Sequence, residues 1–217
     1  MVKIPNPQKL YWQVDEYAEK YSGKDLPLLQ ELYRETNLKT AYPQMITLPH
    51  QGRVLQFLSK IIKPKFVLDL GTFTGYSALC LAQGLQENGK LITVDYNDET
   101  SQIALKYFKK AGLDDKIEYI KGNAEDVIKT LNYSFDIVYV DINKESYCSI
   151  IDLILPKLSD NGIIIVDNVL WYLRTVDNIA DKDTTAVIKF NNYVQNRNDI
   201  NNILLPIGDG FMIITKN

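Results

Sequence analysis

The stretch from Lys65 to Ser77, KFVLDLGTFTGYS, constrains the fold more than any other part of the chain. Phe66, Val67, Leu68 and Leu70 form a short apolar run interrupted by Asp69 and bounded by Pro64 and Gly71. An apolar run of that length between two breakers predicts a buried strand. Gly71 and Gly75 bracket a turn, and from Tyr76 onward YSALCLAQGLQ has the apolar spacing of a helix. Strand, glycine turn and helix together open a nucleotide-binding α/β unit.

The composition of the turn narrows the ligand. A dinucleotide fingerprint has three glycines and seats a pyrophosphate on the helix N-terminus. Here two glycines stand four apart, and Asp69 comes just before them. A carboxylate there repels phosphate but holds an ammonium group well. The ligand implied is an adenosine with a cationic amino-acid tail, which describes S-adenosylmethionine. The competing reading is that Asp69 only caps backbone amides and Gly71 only makes a turn.

Composition is consistent with a full globular core. The chain has 217 residues, 46% hydrophobic and 24% charged, ordinary values for a soluble protein. A formal charge of -3 and a pI near 5.3 argue against a nucleic-acid grip spread over the surface. A local patch at Lys106, Lys109 and Lys110 stays open. No apolar run approaches the roughly 18 residues of a membrane span, and MVKIPNPQKLYWQVDEY has no signal core. Cys80 and Cys148 lie in apolar helical patterns without metal-ligand spacing, so both read as buried free thiols in a reducing, cytoplasmic setting.

Along the chain the pattern predicts an amphipathic helix over Gln8 to Tyr21. Asp25 is placed to cap a second helix, with Pro27 in its first turn, running to Lys39. These helices precede the first strand and form a cover, a dimer contact or both. After an irregular YPQMITL, Pro49 opens a third helix. Strands follow at Phe66 to Leu70, Leu91 to Val94, Ile117 to Ile120, Phe135 to Val140 and Ile163 to Val166. The intervening helices span Asp98 to Ala111, Glu125 to Leu131 and Lys144 to Leu155, with one more from Thr184 to Gln195. Ile203 to Pro206 and Phe211 to Thr215 close the chain as an antiparallel hairpin. The expectation is a doubly wound α/β fold: a mostly parallel seven-stranded sheet, an antiparallel C-terminal edge and extra N-terminal helices. Residues 1–217 form one domain, with 1–40 as cover and 41–217 as core.

Ligands of open α/β sheets bind beyond the carboxyl ends of the strands. Asp69, Asp95, Asp141 and Asp167 all stand at or near such ends, although each alone has a capping explanation. Asp95 follows Gly71 by 24 residues, close to the spacing at which an acid meets ribose hydroxyls. Asn123 and Ala124 open the loop after the third strand, where backbone amides face an adenine edge. Asp141, Asp167 and Asn168 are an all-oxygen set, which favours Mg²⁺, Mn²⁺ or Ca²⁺ over zinc. The plainer reading is that Asp167 and Asn168 merely end a strand. Lys144, at the start of a helix where a cation is disfavoured, is a candidate base whose pKa burial and a metal could lower. A solvated surface lysine is its alternative. His50, the only histidine, reads as a capping or packing residue. Trp171 and Tyr172 are placed to wall an aromatic pocket, or simply to pack.

LDLGTFTGYSALCLAQGL, FDIVYVDINKESY, GIIIVDNVLW and LPIGDGFMI together resemble the cation-dependent small-molecule O-methyltransferases, the group of catechol and caffeoyl-coenzyme A O-methyltransferases and their bacterial relatives. The resemblance runs from Thr40 to the C-terminus. It implies a class I methyltransferase fold with S-adenosylmethionine over the first two strands and a family habit of homodimers. It places the metal on Asp141, Asp167 and Asn168, the motif lysine on Lys144 and the ribose on Asp95 with neighbouring Tyr96. The methionine part falls on Asp69, Gly71, Thr72, Phe73, Gly75, Tyr76 and Ser77, with Met45, Thr47 and Asp141 along the cofactor and Lys144, Asn168, Trp171 and Asp209 near the acceptor. The implied acceptor is a vicinal dihydroxy aromatic. Some bacterial members methylate hydroxyuridine in transfer RNA, and a non-catalytic cofactor-binding protein is a further alternative. Two departures stand out: the motif acid before the glycine is Asp69 where glutamate is usual, and Trp171-Tyr172-Leu173 follows DNVL where many relatives have glycine.

Overall fold

The computed structural model describes residues 7–177 and 179–217, excepting the side chains of 7–9. Eight helices of at least seven residues and seven strands are present among these residues. Helix α1 spans Pro7–Lys20, α2 Pro27–Lys39 and α3 Pro49–Ile62. The chain then alternates: β1 Phe66–Leu70, α4 Tyr76–Ala82, β2 Lys90–Asp95, α5 Ser101–Lys110, β3 Ile117–Lys121, α6 Ala124–Thr130, β4 Phe135–Val140, α7 Tyr147–Ile154 and β5 Leu158–Val166. Helix α8 covers Lys182–Gln195, followed by β6 Ile200–Leu205 and β7 Phe211–Lys216.

The seven strands form one sheet in the order β3-β2-β1-β4-β5-β7-β6. All pairs from β3 to β5 are parallel, whereas β7 runs antiparallel to both β5 and β6. The closing hairpin therefore inserts its second strand next to β5 and leaves its first at the edge. Alternation within β1 sends Leu68 and Leu70 into one core and Val67 into the other. The first core lies under α6, α7 and α8, with Ile128, Ile151 and Phe190 fully buried. The second lies under α2 to α5, with Leu32, Leu55, Leu79 and Tyr107. Each such side chain contributes about 1.5–3 kcal/mol relative to exposure, so both faces hold the sheet. Register is pinned at one end by Asp136, whose Oδ2 accepts from the amides of Lys65 (2.7 Å) and Phe66 (3.1 Å).

Some boundaries differ from expectation for local reasons. Asp25 does not cap α2; Leu26 occupies the N-cap without a side-chain bond. Asp25 instead accepts from the Tyr76 hydroxyl and pairs with Arg53 at 3.4 Å, tying the α1–α2 connection to α3 and α4. Helix α4 stops at Ala82, two residues short of Gly84, which packs on the backbone of Ser59. Helix α5 starts at Ser101 because Asp95 and Asn97 accept amides within the preceding turn. Cys80 is buried, but Cys148 is only partly so.

Candidate active site

The pairing register sets the site. Leu70 pairs with both Val94 and Val140, and Val140 pairs with Val166. The residues that follow, Gly71, Asp95, Asp141 and Asp167, are brought to one edge at the carboxyl ends of β1, β2, β4 and β5. The ladder continues one step beyond, through Gly71 N to Val94 O (2.9 Å), Asp141 N to Leu70 O (2.8 Å) and Asp167 N to Val140 O (3.0 Å).

Asp69 does not belong to that edge. It pairs one step back with Thr93 and Tyr139, and it is fully buried. Its Oδ1 accepts from Ser77 Oγ (3.0 Å) and its Oδ2 from Thr93 Oγ1 (2.6 Å), with Thr72 Oγ1 next in the chain at 2.6 Å from Thr93. The expected direct grip on an ammonium group is corrected: Asp69 braces the glycine turn from beneath. Burial pushes its carboxyl from 3.8 up to about 7, against the opposing pull of Thr93 and Ser77. Between those values the folded chain holds the proton more tightly than the unfolded chain, so stability is fully present at acid pH and falls as pH rises through about 7. Asp69→Asn should remove this loss. Melting curves of both proteins from about pH 4 to 8 check it: their difference should grow in the variant's favour as pH rises, and a constant difference would contradict the burial argument.

Above Asp69 the turn forms a narrow crevice. Met45, Ile46, Thr47, Gly71, Thr72, Phe73, Thr74, Tyr76, Ser77 and Asp141 line it. Gly71 has φ +106°, and a Cβ there would sit 2.0 Å from the Asp141 carbonyl oxygen, so only glycine lets the two strand ends approach. Gly75, also left-handed at φ +87°, is the N-cap of α4. Asp95 faces the crevice through the loop it holds: Oδ2 accepts from Phe73 N (2.8 Å) and Oδ1 from Asn97 N (2.9 Å). Each oxygen keeps a lone pair for a ligand hydroxyl. Tyr96 is 79% exposed beside it. Asn123 caps α6 by accepting from Glu125 N, and Ala124 is the first residue of that helix.

The second cluster is compact. Lys144, 8% exposed, lies in a single 3-10 turn rather than a full helix start. Its Nζ donates to Asn168 Oδ1 (2.6 Å), Tyr147 Oη (2.7 Å), Asp141 Oδ1 (3.2 Å) and Ile142 O (3.2 Å). Burial disfavours the ammonium, but Tyr147 and Asp141 outweigh it and hold the Lys144 pKa above its ordinary value. In this arrangement Lys144 is held as the ammonium. Asn168 is in the left-handed region (φ 58°), the turn in which Oδ1 meets Nζ. Asp167 is buried, and burial together with the charge of Asp141 pushes its carboxyl up to about 7.

Sequence reasoning missed Gln51, Tyr139 and Tyr147. Gln51 and Tyr139 donate to the Asp167 carboxylate, and Tyr147 donates to the Asp167 carbonyl at 2.8 Å. Tyr147 had a signal in its three-residue spacing from Lys144. Gln51 and Tyr139 had none. Trp171, Tyr172 and Leu173 have φ of 47°, 54° and 62°, a left-handed turn without glycine. Such backbone costs about 1–2 kcal/mol per residue. The turn sets the Trp171 ring 5.2 Å from Lys144 Nζ, and Tyr172 N donates to Asp209. Asp209 is buried, its Oδ2 has no partner among the described residues, and desolvation pushes its carboxyl up to about 6. A wider cleft of about 470 Å³, lined by Lys144, Glu145, Cys148, Ala180, Ala186 and Lys189 among others, also reaches this cluster. His50 lies in the first turn of α3, partly buried, with Nδ1 unpartnered among the described residues.

Residues 19–217 match the family profile described as O-methyltransferase. The chain belongs to the O-methyltransferase family. It is 30% identical over 207 residues to a probable caffeoyl-CoA O-methyltransferase 2 of Dictyostelium discoideum, covering 92% of this chain and 90% of that one. It is 32% identical over 196 residues to a caffeoyl-CoA O-methyltransferase of Stellaria longipes, covering 84% and 80%. Its structure superposes on the S-adenosylhomocysteine-bound crystal structure of a Podospora anserina methyltransferase with a TM-score of 0.90 at 29% identity, over 100% of this chain and 99% of that one. The enzyme is an S-adenosylmethionine-dependent O-methyltransferase of caffeoyl-CoA O-methyltransferase type. No helix among the described residues is long and apolar enough to cross a membrane.

Proposed function

We propose that this O-methyltransferase methylates one hydroxyl of a vicinal dihydroxy aromatic small molecule and does so with a hard divalent cation, Mg²⁺ foremost. The observation that carries the reading is the meeting of Lys144 Nζ with the side-chain oxygens of Asp141 and Asn168, at 3.2 and 2.6 Å, next to the crevice behind Gly71. No cluster of three His, Cys, Asp or Glu side chains able to hold a metal exists among the described residues. The candidate ligands are instead two carboxylates and an amide, Asp141, Asp167 and Asn168, and the side-chain oxygens of Asp141 and Asn168 already converge on the Lys144 ammonium. Their chemistry suits Mg²⁺ or Mn²⁺.

When bound, S-adenosylmethionine supplies a sulfonium methyl, and a divalent cation supplies the charge that favours an ionised acceptor oxygen. The chain's own residues do the rest. The Gly71 turn, Met45, Thr47 and Phe73 seat the cofactor, and Asp95 takes its ribose hydroxyls. Trp171 and Tyr172 wall the acceptor ring, whose remaining body extends into the cleft beside Lys144. Were a cation to hold Asp141, Nζ would lose one of the charges that keep it protonated, and a Lys144 that had released its proton to solvent would then be placed to take the acceptor's hydroxyl proton. Alignment is the main source of rate, since opposite charges are consumed in the transfer.

Catechols should be turned over and their monohydroxy counterparts should not, because only a vicinal pair offers two oxygens to one cation. Product analysis on such matched pairs checks this, and equal rates on both members would sink the dihydroxy requirement. The exposed Val14 and Tyr17 on α1, continued by Tyr21 just after it, support a homodimer, which light scattering tests. The transfer RNA alternative is weakened where Lys106 and Lys110 are paired with Glu35 (2.6 Å) and Glu31 (2.5 Å), so two of the three lysines of the candidate basic patch are neutralised.

A further inference from the structure

Asp167 differs from the other acids at the strand ends in how completely its carboxylate is used. Oδ1 accepts twice, from Gln51 Nε2 at 2.8 Å and from Asn168 N at 2.6 Å. Oδ2 accepts once, from the Tyr139 hydroxyl at 2.5 Å. A carboxylate offers about four lone-pair positions, so one remains, on Oδ2. We infer that Gln51 and Tyr139 are positioning residues that make Asp167 a one-point ligand and so bias the site toward Mg²⁺ or Mn²⁺ over Ca²⁺. The inference rests on the cation reading above and names residues that act on it only through Asp167.

The two donors are built to stay in place. Gln51 is 3% exposed and lies in the first turn of α3. Its Oε1 accepts from Leu48 N (3.3 Å), which directs Nε2 toward Asp167. Its side chain also fills the space over Gly208, where a Cβ would come within 2.4 Å of Gln51 Cδ. Tyr139 is fully buried in β4, with Thr47 beside its hydroxyl. Calcium favours high coordination number and two-oxygen grips on carboxylates, whereas magnesium demands a small octahedral set. A carboxylate with three of its four positions occupied cannot supply the two-oxygen grip.

The test is a Mn²⁺ titration followed by electron paramagnetic resonance on the full chain with S-adenosylhomocysteine, and displacement of Mn²⁺ by Mg²⁺ and by Ca²⁺. It compares the parent with Gln51→Leu and Tyr139→Phe, the second guarding against a folding failure of the first. Removing a partner of a metal-ligating group weakens binding by about 10- to 100-fold, and both variants should lose Mn²⁺ affinity on that scale. Displacement by Ca²⁺ should improve relative to Mg²⁺, while affinity for S-adenosylhomocysteine, the control for fold, stays at the parent's value. Variants with the parent's Mn²⁺ affinity would overturn the inference alone. Weakened binding with an unchanged Mg²⁺ over Ca²⁺ preference would overturn the one-point assignment. A parent that binds no Mn²⁺ would overturn the cation reading and this inference with it.

Discussion

Lys144→Met should lower kcat by about two to four orders of magnitude, the usual worth of a positioned proton-transfer group, with cofactor affinity little changed. Methionine keeps the length of the buried stem and removes only the ammonium. Four acceptors meet that ammonium, and one of them, Tyr147, retains a role without it because its hydroxyl also donates to the Asp167 carbonyl. Asp141 is partly exposed and can be hydrated once its partner is gone. The fold should therefore persist. The crevice lined by Met45, Gly71 and Phe73 does not include Lys144, so the loss belongs in kcat and not in the KM for S-adenosylmethionine. Steady-state kinetics with calorimetry of S-adenosylhomocysteine binding separates the two. A variant with the parent's kcat would reduce Lys144 to a structural pin.

Asp141→Ala should depress turnover by about three orders of magnitude, since several kcal/mol of transition-state stabilisation depend on the charge this group helps hold. Two consequences combine in this substitution. The Lys144 ammonium loses a carboxylate partner, and the oxygen set of Asp141, Asp167 and Asn168 loses one of its two negative charges. Cofactor binding should survive, because the close approach at Gly71 is to the backbone carbonyl of Asp141, which alanine retains. Calorimetry with S-adenosylhomocysteine provides that control. Binding kept with turnover lost assigns the side chain to chemistry, whereas loss of both would make it a scaffold for the crevice.

The parts of this protein that were legible in the sequence are those set by short-range patterning. An apolar run, two glycines and a helical repeat placed β1, the turn and α4, and the recurrence of acids after apolar runs placed Asp95, Asp141 and Asp167 on one edge. The depth of Asp69 was not legible because it depends on strand pairing: one step before the end of β1 it lies between Thr93 and Tyr139 of the neighbouring strands. Chain order shows a closing hairpin but not which strand meets β5. The hydrogen bonds of Lys144 reach Asn168, 24 residues away, as well as the nearby Asp141. Gln51 and Tyr139 carry no local signal, and only the fold brings them to Asp167. The left-handed run at Trp171 to Leu173 has no glycine to announce it.

One measurement bears most directly on the account: transfer of labelled methyl from S-adenosylmethionine to a panel of catechols, with Mg²⁺ and with a chelator. Turnover that the chelator abolishes and added Mg²⁺ restores is the predicted result. Turnover on catechols that proceeds unchanged in the chelator would contradict the roles given to Asp141, Asp167 and Asn168, while leaving the methyltransferase itself intact.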